Sequence, residues 1–299
     1  MIRVKNVTKY FDDFKVLDNL SLNVPKGAIY GLVGPNGAGK TTIINHINGV
    51  LKPLRGEITI NGEPVYENVN IKNTVISIAD DWFYYSTYTV KQMANFYKNI
   101  YPQFNSERYE AIKEVFKIDE KRQIRKLSKG MKKQVAFWLS LSAMPEVLIL
   151  DEPLDGLDPV MRKQVLNLVI ADVTDREMTV LVSSHNLREL EDICDWVGII
   201  HEGRMIMEKP LDDLKGAVHK YQLMLDEDIA EKLSENENVL HISNTGSVYS
   251  LIMRGEADST CKKLRELSPH LCERISLTLE EVFIYELGGL GYDFKNIIV

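Results

Sequence analysis

The sequence predicts an α/β protein whose central sheet is mostly parallel, followed by a small α+β domain. Three observations support this fold class. A short apolar run, a glycine-rich loop and a helical pattern follow one another between residues 28 and 47. Two more apolar runs, Val147–Leu150 and Thr179–Val182, are typical of strands buried on both faces. From about Gly216 onward, short strand and helix patterns indicate a separate unit, so we expect domains at 1–215 and 216–299.

Composition indicates an ordinary soluble globular protein. The chain has 299 residues, of which 44% are hydrophobic and 26% are charged. A net charge of -7 argues against nucleic acid as the main partner, and we expect none. No apolar run approaches the ~18 residues of a membrane span, and the N-terminal residues show no signal-peptide core. A role at a membrane would therefore require another chain to supply the spanning helices.

The cysteines point to the cell interior. Cys194, Cys261 and Cys272 are widely spaced and form no C-x-x-C pair. This usage suits a reducing cytoplasm and predicts no cysteine metal site.

The first 33 residues are predicted to form short strands with turns at Asp12-Asp13 and at Pro25-Lys26-Gly27. Tyr10 and Phe11 stand just before the first turn. An aromatic ring in that place can stack on a purine, but a core or cross-strand position is at least as common for such residues. Both interpretations remain open at this point.

The glycine-rich loop fits G-x-x-x-x-G-K-[ST], the phosphate-binding loop, and stands between a strand and a helix as that motif requires. Its backbone N–H groups and the positive helix end are suited to an anion. Lys40 is predicted to reach the β- and γ-phosphates, and the Thr41 hydroxyl is a predicted Mg²⁺ ligand. A glycine-rich turn with a chance lysine is the alternative. The predicted nucleotide-binding residues of the loop are Gly34, Pro35, Asn36, Gly37, Ala38, Gly39, Lys40, Thr41 and Thr42.

The region after the first helix contains two strand patterns and then a change of character. Arg55–Ile60 predicts a strand that enters an Asn61-Gly62 hairpin turn, and Thr74–Ala79 predicts a second strand. Helical spacing dominates from Trp82 to about Met144, with helices predicted at Val90–Tyr101 and Arg108–Phe116. We interpret residues 82–144 as a helical insertion.

An aromatic-rich stretch opens this insertion. Five of its residues are aromatic, between Trp82 and Tyr88. These rings form either a docking surface for another protein or the core of the insertion, and the sequence does not separate the two.

Leu127–Met131 precedes a long helical pattern that runs through Leu141. Ser128 is a good N-cap. A serine at an exposed helix N-terminus is also suited to an anion, so both roles stay open.

An apolar run that ends in two carboxylates is predicted to be a central strand facing a ligand. It spans Val147–Pro153 and carries Asp151 and Glu152 at its end. Asp151 is suited to hold Mg²⁺, and Glu152 to orient and deprotonate an attacking water. Two solvated acids in a turn are the alternative.

The rest of the chain continues the alternation of predicted strands and helices. Asp155–Pro159 predicts a turn with Pro159 at the start of a helix. His185 follows the strand after the carboxylate pair, where it either contacts the γ-phosphate or serves a structural role. Further predictions are a hairpin at 196–208, strands at 221–225, 239–243 and 247–253, and helices at 227–233, 256–267 and 280–287.

Five motifs together resemble the ATP-binding subunit of ABC transporters. They are Gly34–Thr42, Leu127–Met131, Leu148–Pro153, Gly156–Asp158 and Ser184-His185. The resemblance covers roughly Ile2 to Pro210 and is specific because the motifs occur in the family's order. It implies a RecA-like P-loop NTPase core with an N-terminal antiparallel β subdomain and a helical insertion that carries the signature motif.

The resemblance also implies site residues. Lys40, Glu152 and His185 would be catalytic, and Phe11 or Tyr10 falls where the family stacks an aromatic on adenine. Family members bind two ATP between two head-to-tail subunits. The signature residue Ser128 would then contact the nucleotide of the partner chain, and the resemblance also implies Gly130 of the signature motif and Asp158 of the D-loop as nucleotide-binding residues.

The implied cofactors are ATP and Mg²⁺, and two kinds of partner follow. One is a second ATPase subunit, identical or different. The other is an integral membrane permease docking near Asp80–Tyr88. The implied location is peripheral, on the cytoplasmic face of the cell membrane.

Two residues depart from the family pattern. Lys129 stands where the signature motif usually has glycine, as is common in exporters of the bacitracin-resistance type. Asp80 replaces the glutamine of the Q-loop. It is a predicted contact of Mg²⁺ or water, although its side chain is shorter. The tail at Leu277–Phe283 also resembles those of exporter ATPases.

We therefore expect an ATPase that drives a separate permease for export of a drug, peptide or antibiotic. One alternative is a soluble ABC-type ATPase acting on ribosomes or DNA, but such proteins usually carry two cassettes or a long coiled coil. A regulatory module that only binds ATP is a second alternative, against which Glu152 and His185 argue.

Overall fold

The computed structural model describes residues 1–224, 229, 233, 236, 238–267 and 269–288. The chain divides into two compact units. The first contains Met1–His185 and Ile193–Glu208, and the second contains Asn186–Asp192 and the described residues from Lys209 onward. The division after Glu208 lies a few residues before the boundary predicted at residue 215, and the second unit also takes a short segment from within the predicted cassette.

The first unit contains two sheets. Its strands are β1 (Ile2–Phe11), β2 (Phe14–Val24), β3 (Ile29–Val33), β4 (Arg55–Ile60), β5 (Glu63–Pro64), β6 (Val75–Ile78), β7 (Val147–Asp151), β8 (Thr179–Ser184), β9 (Trp196–His201) and β10 (Arg204–Pro210), the last two residues of β10 being assigned to the second unit. The α-helices described in it are α1 (Lys40–Ile47), α2 (Val69–Lys72), α3 (Val90–Ile100), α4 (Ser106–Phe116), α5 (Lys129–Ser142) and α6 (Pro159–Arg176).

The central sheet has the order β10-β9-β3-β8-β7-β6. Strands β9, β3, β8, β7 and β6 pair in parallel. Every residue of β3, β7 and β8 is buried, as the continuous apolar runs predict for strands covered on both faces. The parallel arrangement brings the carboxyl ends of these strands to one edge of the sheet.

The N-terminal sheet is antiparallel and has the order β2-β1-β4-β5. The predicted turn at Asp12-Asp13 joins β1 to β2, and the predicted Asn61-Gly62 turn joins β4 to β5. Alternate residues of β1 and β2 are buried in a core that they share with α1 and the central sheet, including Ile2, Leu22 and Ile43. This core places the first sheet beside the glycine-rich loop.

The segment from Trp82 to Met144 is mainly helical, as the sequence predicts. A capping box of Thr89 and Gln92 starts α3, and the Ser128 hydroxyl caps α5. Trp138 on α5 is fully buried, and its Nε1–H donates to the Tyr109 carbonyl oxygen at 2.7 Å. The two rings stack with centroids 4.6 Å apart, which joins α5 to α4.

The aromatic stretch before α3 divides between the two roles that the sequence left open. Trp82 is 8% exposed, and its Nε1–H donates to the Tyr97 hydroxyl at 3.1 Å. Phe83 is 65% exposed, and Tyr85 is 39% exposed. Trp82 therefore fills the core of the segment, whereas Phe83 and Tyr85 lie on its surface.

The second unit is an α+β unit. Its elements are α7 (Leu187–Glu191), α8 (Leu211–Ala217), β11 (Val218–Met224), β12 (Val239–Thr245), β13 (Val248–Arg254), α9 (Ala257–Glu266), β14 (Leu271–Ile275) and α10 (Leu279–Gly288). The strands form an antiparallel sheet in the order β12-β13-β11-β14, with Tyr221 and Leu251 in the core. The helix predicted at residues 227–233 lies largely outside the described residues.

None of the helices within the described residues combines the length and the apolar character that a bilayer crossing requires.

Candidate active site

The predicted site residues lie at the carboxyl ends of four neighbouring parallel strands, at one edge of the central sheet. Gly34 follows β3, His185 follows β8, Asp151 ends β7, and Asp80 follows β6 by a short loop. The order β3-β8-β7-β6 makes these strand ends adjacent. A mostly parallel sheet binds ligands at this edge, so the predicted residues meet where chemistry is expected.

The glycine-rich loop is closely packed against the sheet and open toward solvent. A Cβ atom on Gly34 would lie 2.3 Å from the Ile200 carbonyl oxygen, so only glycine fits there. Asn36 and Gly37 at the loop tip are exposed. The loop leads into α1, whose N-terminus is capped by none of the described side chains. Its backbone N–H groups are thus suited to an anion.

Lys40 is buried at the mouth of this loop with 7% of its surface exposed. Its ammonium donates to the carbonyl oxygens of Gly34 at 2.6 Å and Pro35 at 3.3 Å. Glu152 Oε1 lies 3.6 Å from Lys40 Nζ. Burial lowers the pKa of Lys40, and the carboxylates of Glu152 and Asp151 oppose this effect. An ammonium held by carbonyl oxygens can exchange them for phosphate oxygens at small structural cost.

The Thr41 hydroxyl and the Asp151 carboxylate face each other across the site. Thr41 Oγ1 donates to Asp151 Oδ2 at 2.9 Å, while the Ser183 hydroxyl donates to Asp151 Oδ1. Asp151 is 7% exposed. These hard oxygen donors are the ligands that Mg²⁺ prefers.

The number of protein ligands also suits magnesium. Mg²⁺ usually takes one or two protein ligands and completes its shell with water and substrate phosphates. Thr41 and Asp151 therefore fit a magnesium ion that arrives with a phosphate compound.

Glu152 and His185 form the second contact pair of the site. His185 Nδ1 lies 3.0 Å from Glu152 Oε2, and His185 is half exposed. The Glu152 backbone has φ 47°, a left-handed conformation that is uncommon for this residue type. One oxygen of its carboxylate lies 3.6 Å from Lys40 Nζ and the other 3.0 Å from His185 Nδ1, so the carboxylate lies between these two side chains. A carboxylate in this position can accept a proton from a water molecule.

Asp80 lies against two lysines. Its carboxylate Oδ1 is 3.3 Å from Lys133 Nζ and 3.6 Å from Lys129 Nζ. The side chain of Asp80 is 54% exposed. The same Lys133 ammonium donates to the Glu152 main-chain oxygen at 2.6 Å, so Asp80 is joined to the site through a lysine.

Ser128, which is expected to meet a partner's nucleotide, and the predicted nucleotide-binding residues Gly130 and Asp158 make contacts within this chain. The Ser128 hydroxyl accepts from Met131 N at 3.2 Å, and Asp158 Oδ1 accepts from Val160 N and Met161 N at 3.0 Å each. A Cβ on Gly130 would lie 2.7 Å from the Gly156 carbonyl oxygen. Each N-cap fixes the start of its helix, which leaves Ser128 and Asp158 at the N-termini of α5 and α6.

Tyr10 and Phe11 lie on the surface rather than in the core. They are 38% and 45% exposed. The ammonium of Lys15 lies 5.8 Å from the Tyr10 ring centroid, and that of Lys9 lies 5.2 Å from the Phe11 centroid. Both rings are thus accessible to a ligand at the end of β1.

Two residues of this site have no clear signal in the sequence. Ser183 positions Asp151, and the only signal for it is a polar residue near the end of an apolar strand. Lys133 belongs to a run of lysines that resembles an ordinary solvated helix face, yet it is 3% exposed. Only the tertiary structure brings it to the strand ends.

The chain is similar in sequence to known proteins of one family. Residues 17–155 match the family model described as "ABC transporter". The chain is 32% identical to the ABC transporter ATP-binding protein YtrB of Bacillus subtilis, over 97% of this chain and 99% of that protein. It is 37% identical to the bacitracin transport ATP-binding protein BcrA of Bacillus licheniformis, over 74% of this chain and 73% of that protein.

Solved structures show the same fold. An ATP-binding subunit of an ABC transporter matches 72% of this chain and 92% of its own, with 28% identity and a TM-score of 0.68. A dimeric ATP-binding cassette in a post-hydrolysis state, bound to ADP and phosphate, matches 71% of this chain and 99% of its own. That second likeness has 21% identity and a TM-score of 0.64.

Proposed function

The chain belongs to the ABC transporter family as an ATP-binding subunit with ATPase activity, and from this premise we propose that it hydrolyses MgATP in a head-to-tail dimer to drive a separate membrane permease. The observation that carries the proposal is the Glu152 carboxylate, which lies between Lys40 and His185 and beside the Thr41–Asp151 pair. Phosphoryl transfer needs mainly positioning and charge neutralisation, and these groups supply both.

Each residue then has a defined part in hydrolysis. The loop N–H groups and Lys40 bind the phosphates. Because Lys40 is buried, its charge attracts the phosphates more strongly than it would in water. Thr41 and Asp151 would hold a magnesium ion, which would supply charge neutralisation at the phosphate oxygens. Glu152 orients the attacking water and takes its proton, and His185 contacts the γ-phosphate from the neighbouring strand end.

A second copy of an ATPase chain would complete the site. Ser128 and Asp158 cap α5 and α6, and Gly130 stands beside Ser128. A serine at a helix N-terminus is suited to bind a phosphate. In this chain the Ser128 hydroxyl accepts a hydrogen bond from Met131 N of its own helix. We therefore propose that these residues meet the nucleotide of the partner chain.

The permease is expected to dock near Asp80–Tyr88. The exposed rings of Phe83 and Tyr85 support this, because a surface aromatic pair is typical of protein interfaces. Such docking would place the chain at the cytoplasmic face of the cell membrane. The relative named for bacitracin transport favours export of a drug, peptide or antibiotic as the task.

Two experiments separate this proposal from its two rivals. Affinity capture of the chain in the presence of MgATP, followed by identification of bound proteins, should recover a multi-span membrane protein. Recovery of ribosomes instead would favour the soluble ATPase. A purified chain that binds ATP without releasing phosphate would favour the regulatory module.

A further inference from the structure

The ammonium of Lys133 connects two of the strand ends that form the site. Lys133 lies near the start of α5 and is 3% exposed. Its Nζ donates to the Glu152 main-chain oxygen at 2.6 Å and to Asp80 Oδ1 at 3.3 Å. A buried ammonium has three protons to donate and is costly without acceptors. These two bonds therefore constrain both acceptors strongly.

The peptide of Glu152 is held from two sides. Its N–H donates to the Ser183 carbonyl oxygen at 3.2 Å, and its own carbonyl accepts from Lys133. Between these bonds the backbone adopts φ 47°, a conformation that costs free energy for a residue with a Cβ. Such a conformation persists only where the surroundings fix it. The direction of the Glu152 side chain depends on this backbone.

The carboxylate of Asp80 also contacts Lys133. Asp80 and Glu152 bring two carboxylates to neighbouring strand ends, β6 and β7. Two negatively charged carboxylates at one site repel an anionic ligand and make its binding free energy less favourable. Lys133 contacts the Asp80 carboxylate directly and touches Glu152 through its main chain, so one buried cation offsets the added acid.

The neighbouring lysines do not share this arrangement. The side chain of Lys129 is 65% exposed and lies 3.6 Å from Asp80. Lys132 is partly exposed, and its ammonium lies 5.1 Å from the Tyr84 ring centroid. Of the three lysines in the first turns of α5, Lys133 alone is buried and contacts Glu152.

We propose that Lys133 is a positioning residue for ATP hydrolysis, whose ammonium fixes the Glu152 peptide and the Asp80 carboxylate at adjacent strand ends. The proposal rests on the function proposed above, because it concerns the same site. In this proposal Lys133 acts through its contact with the Glu152 main chain rather than on the nucleotide or the water directly. Its loss should affect the hydrolytic step more than the binding of ATP.

Steady-state phosphate release tests the kinetic part. Lys133→Met keeps the length of the side chain and removes the charge, so kcat should fall by about 10- to 100-fold while KM for ATP changes by less than about twofold. Lys133→Gln should recover part of kcat, because its amide can still donate to the Glu152 carbonyl oxygen. Lys132→Met is the matched control and should retain the parent kcat.

Hydrogen–deuterium exchange of the nucleotide-free chain gives a readout that does not depend on activity. Lys133→Met should accelerate amide exchange in residues 152–156, while peptides from β1 and β2 keep the parent rate. If exchange rises throughout the chain, Lys133→Met has a folding defect. The exchange of Lys133→Gln is then compared with that of the parent chain instead. A variant with the parent kcat and the parent exchange in residues 152–156 overturns the proposal.

These outcomes separate this inference from the proposed function. If the parent chain hydrolyses ATP and both Lys133 variants match it, the inference fails and the function stands. If the parent chain releases no phosphate, the function fails, and the exchange measurement alone decides whether Lys133 positions Glu152.

Discussion

Thr41 donates its hydroxyl proton to the Asp151 carboxylate at 2.9 Å, which joins the helix after the glycine-rich loop to the end of a buried strand. The two oxygens come from distant parts of the chain, yet they meet where a divalent cation would bind. A second carboxylate oxygen of Asp151 accepts from Ser183. This network fixes the direction of both oxygens before a ligand arrives, which is the arrangement that a preorganised metal site needs.

Thr41→Val tests the role of the hydroxyl. Valine keeps the shape of threonine but cannot bind a cation, so magnesium-dependent ATP affinity should fall by about 10-fold or more. Nucleotide titration with and without magnesium measures this. Thr59→Val on β4 is a matched control away from the site. An equal gain of affinity from magnesium in the parent and in Thr41→Val would contradict the assignment.

Lys40→Ala should abolish tight binding of MgATP. The ammonium is buried at the loop and held by loop carbonyl oxygens, so its loss removes a positive charge aimed at the predicted phosphate position. A nucleotide titration checks this, with Lys26→Ala as the control because Lys26 is 65% exposed and paired with Glu177. Retention of the parent affinity in Lys40→Ala would show that the loop binds phosphates without it.

Gly34→Ala should destabilise the first unit by about 1–3 kcal/mol. The added methyl group would lie 2.3 Å from the Ile200 carbonyl oxygen, and neither backbone can move without disturbing β3 or β9. Denaturant unfolding measures the change. At Gly216 in α8 an added Cβ meets no atom within 4 Å, so Gly216→Ala should be tolerated. A Gly34→Ala variant as stable as Gly216→Ala would contradict the packing described.

Stability should fall as the pH drops below neutral, in part because of His46. This side chain is 1% exposed, and its Nδ1–H donates to the Thr42 carbonyl oxygen at 2.7 Å. Its Nε2 has no hydrogen-bond partner among the described residues. Burial lowers the pKa of His46 below its ordinary value of about 6.5.

The sign of this effect follows from proton uptake. Below about pH 6.5 the unfolded chain binds a proton at this position more readily than the folded chain, so acid favours unfolding. The contribution is fully present above that pH and is lost as the pH falls toward the lowered pKa. Unfolding free energies at pH 7.5 and 5.5 should differ less in His46→Gln than in the parent. Equal pH dependence in the two proteins would contradict this account.

Local sequence patterns predicted the elements that position the site. The apolar runs of β3, β7 and β8 are continuous because both faces of these strands are buried, and burial of that kind leaves a strong signal. The N-cap Ser128 and the helix start at Pro159 are also local features, since each depends on residues within one turn of its helix. Such patterns require no knowledge of distant contacts.

Features that depend on tertiary contacts escaped prediction. Strand β14, Leu271–Ile275, carries exposed Glu273 and Arg274 and is only partly buried, so it lacks a clear apolar alternation. Lys133 resembles its solvated neighbours until α5 packs against the strand ends. The contacts of Asp80 with Lys129 and Lys133 were not foreseen either, while its contact with magnesium or water stays a prediction. A pairing of this kind is set by the fold and has no signature in sequence spacing.

The most direct test of the central claim is phosphate release by Glu152→Gln, measured beside the parent chain with saturating MgATP. Glutamine keeps the shape of Glu152 but cannot accept the proton of water, so the rate should fall by about 100-fold or more. The variant should still bind ATP and elute as a dimer, because hydrolysis is what separates the subunits in this account. Glu177→Gln, an exposed surface change, serves as the control. Hydrolysis by Glu152→Gln at the parent rate would show that another group activates the water.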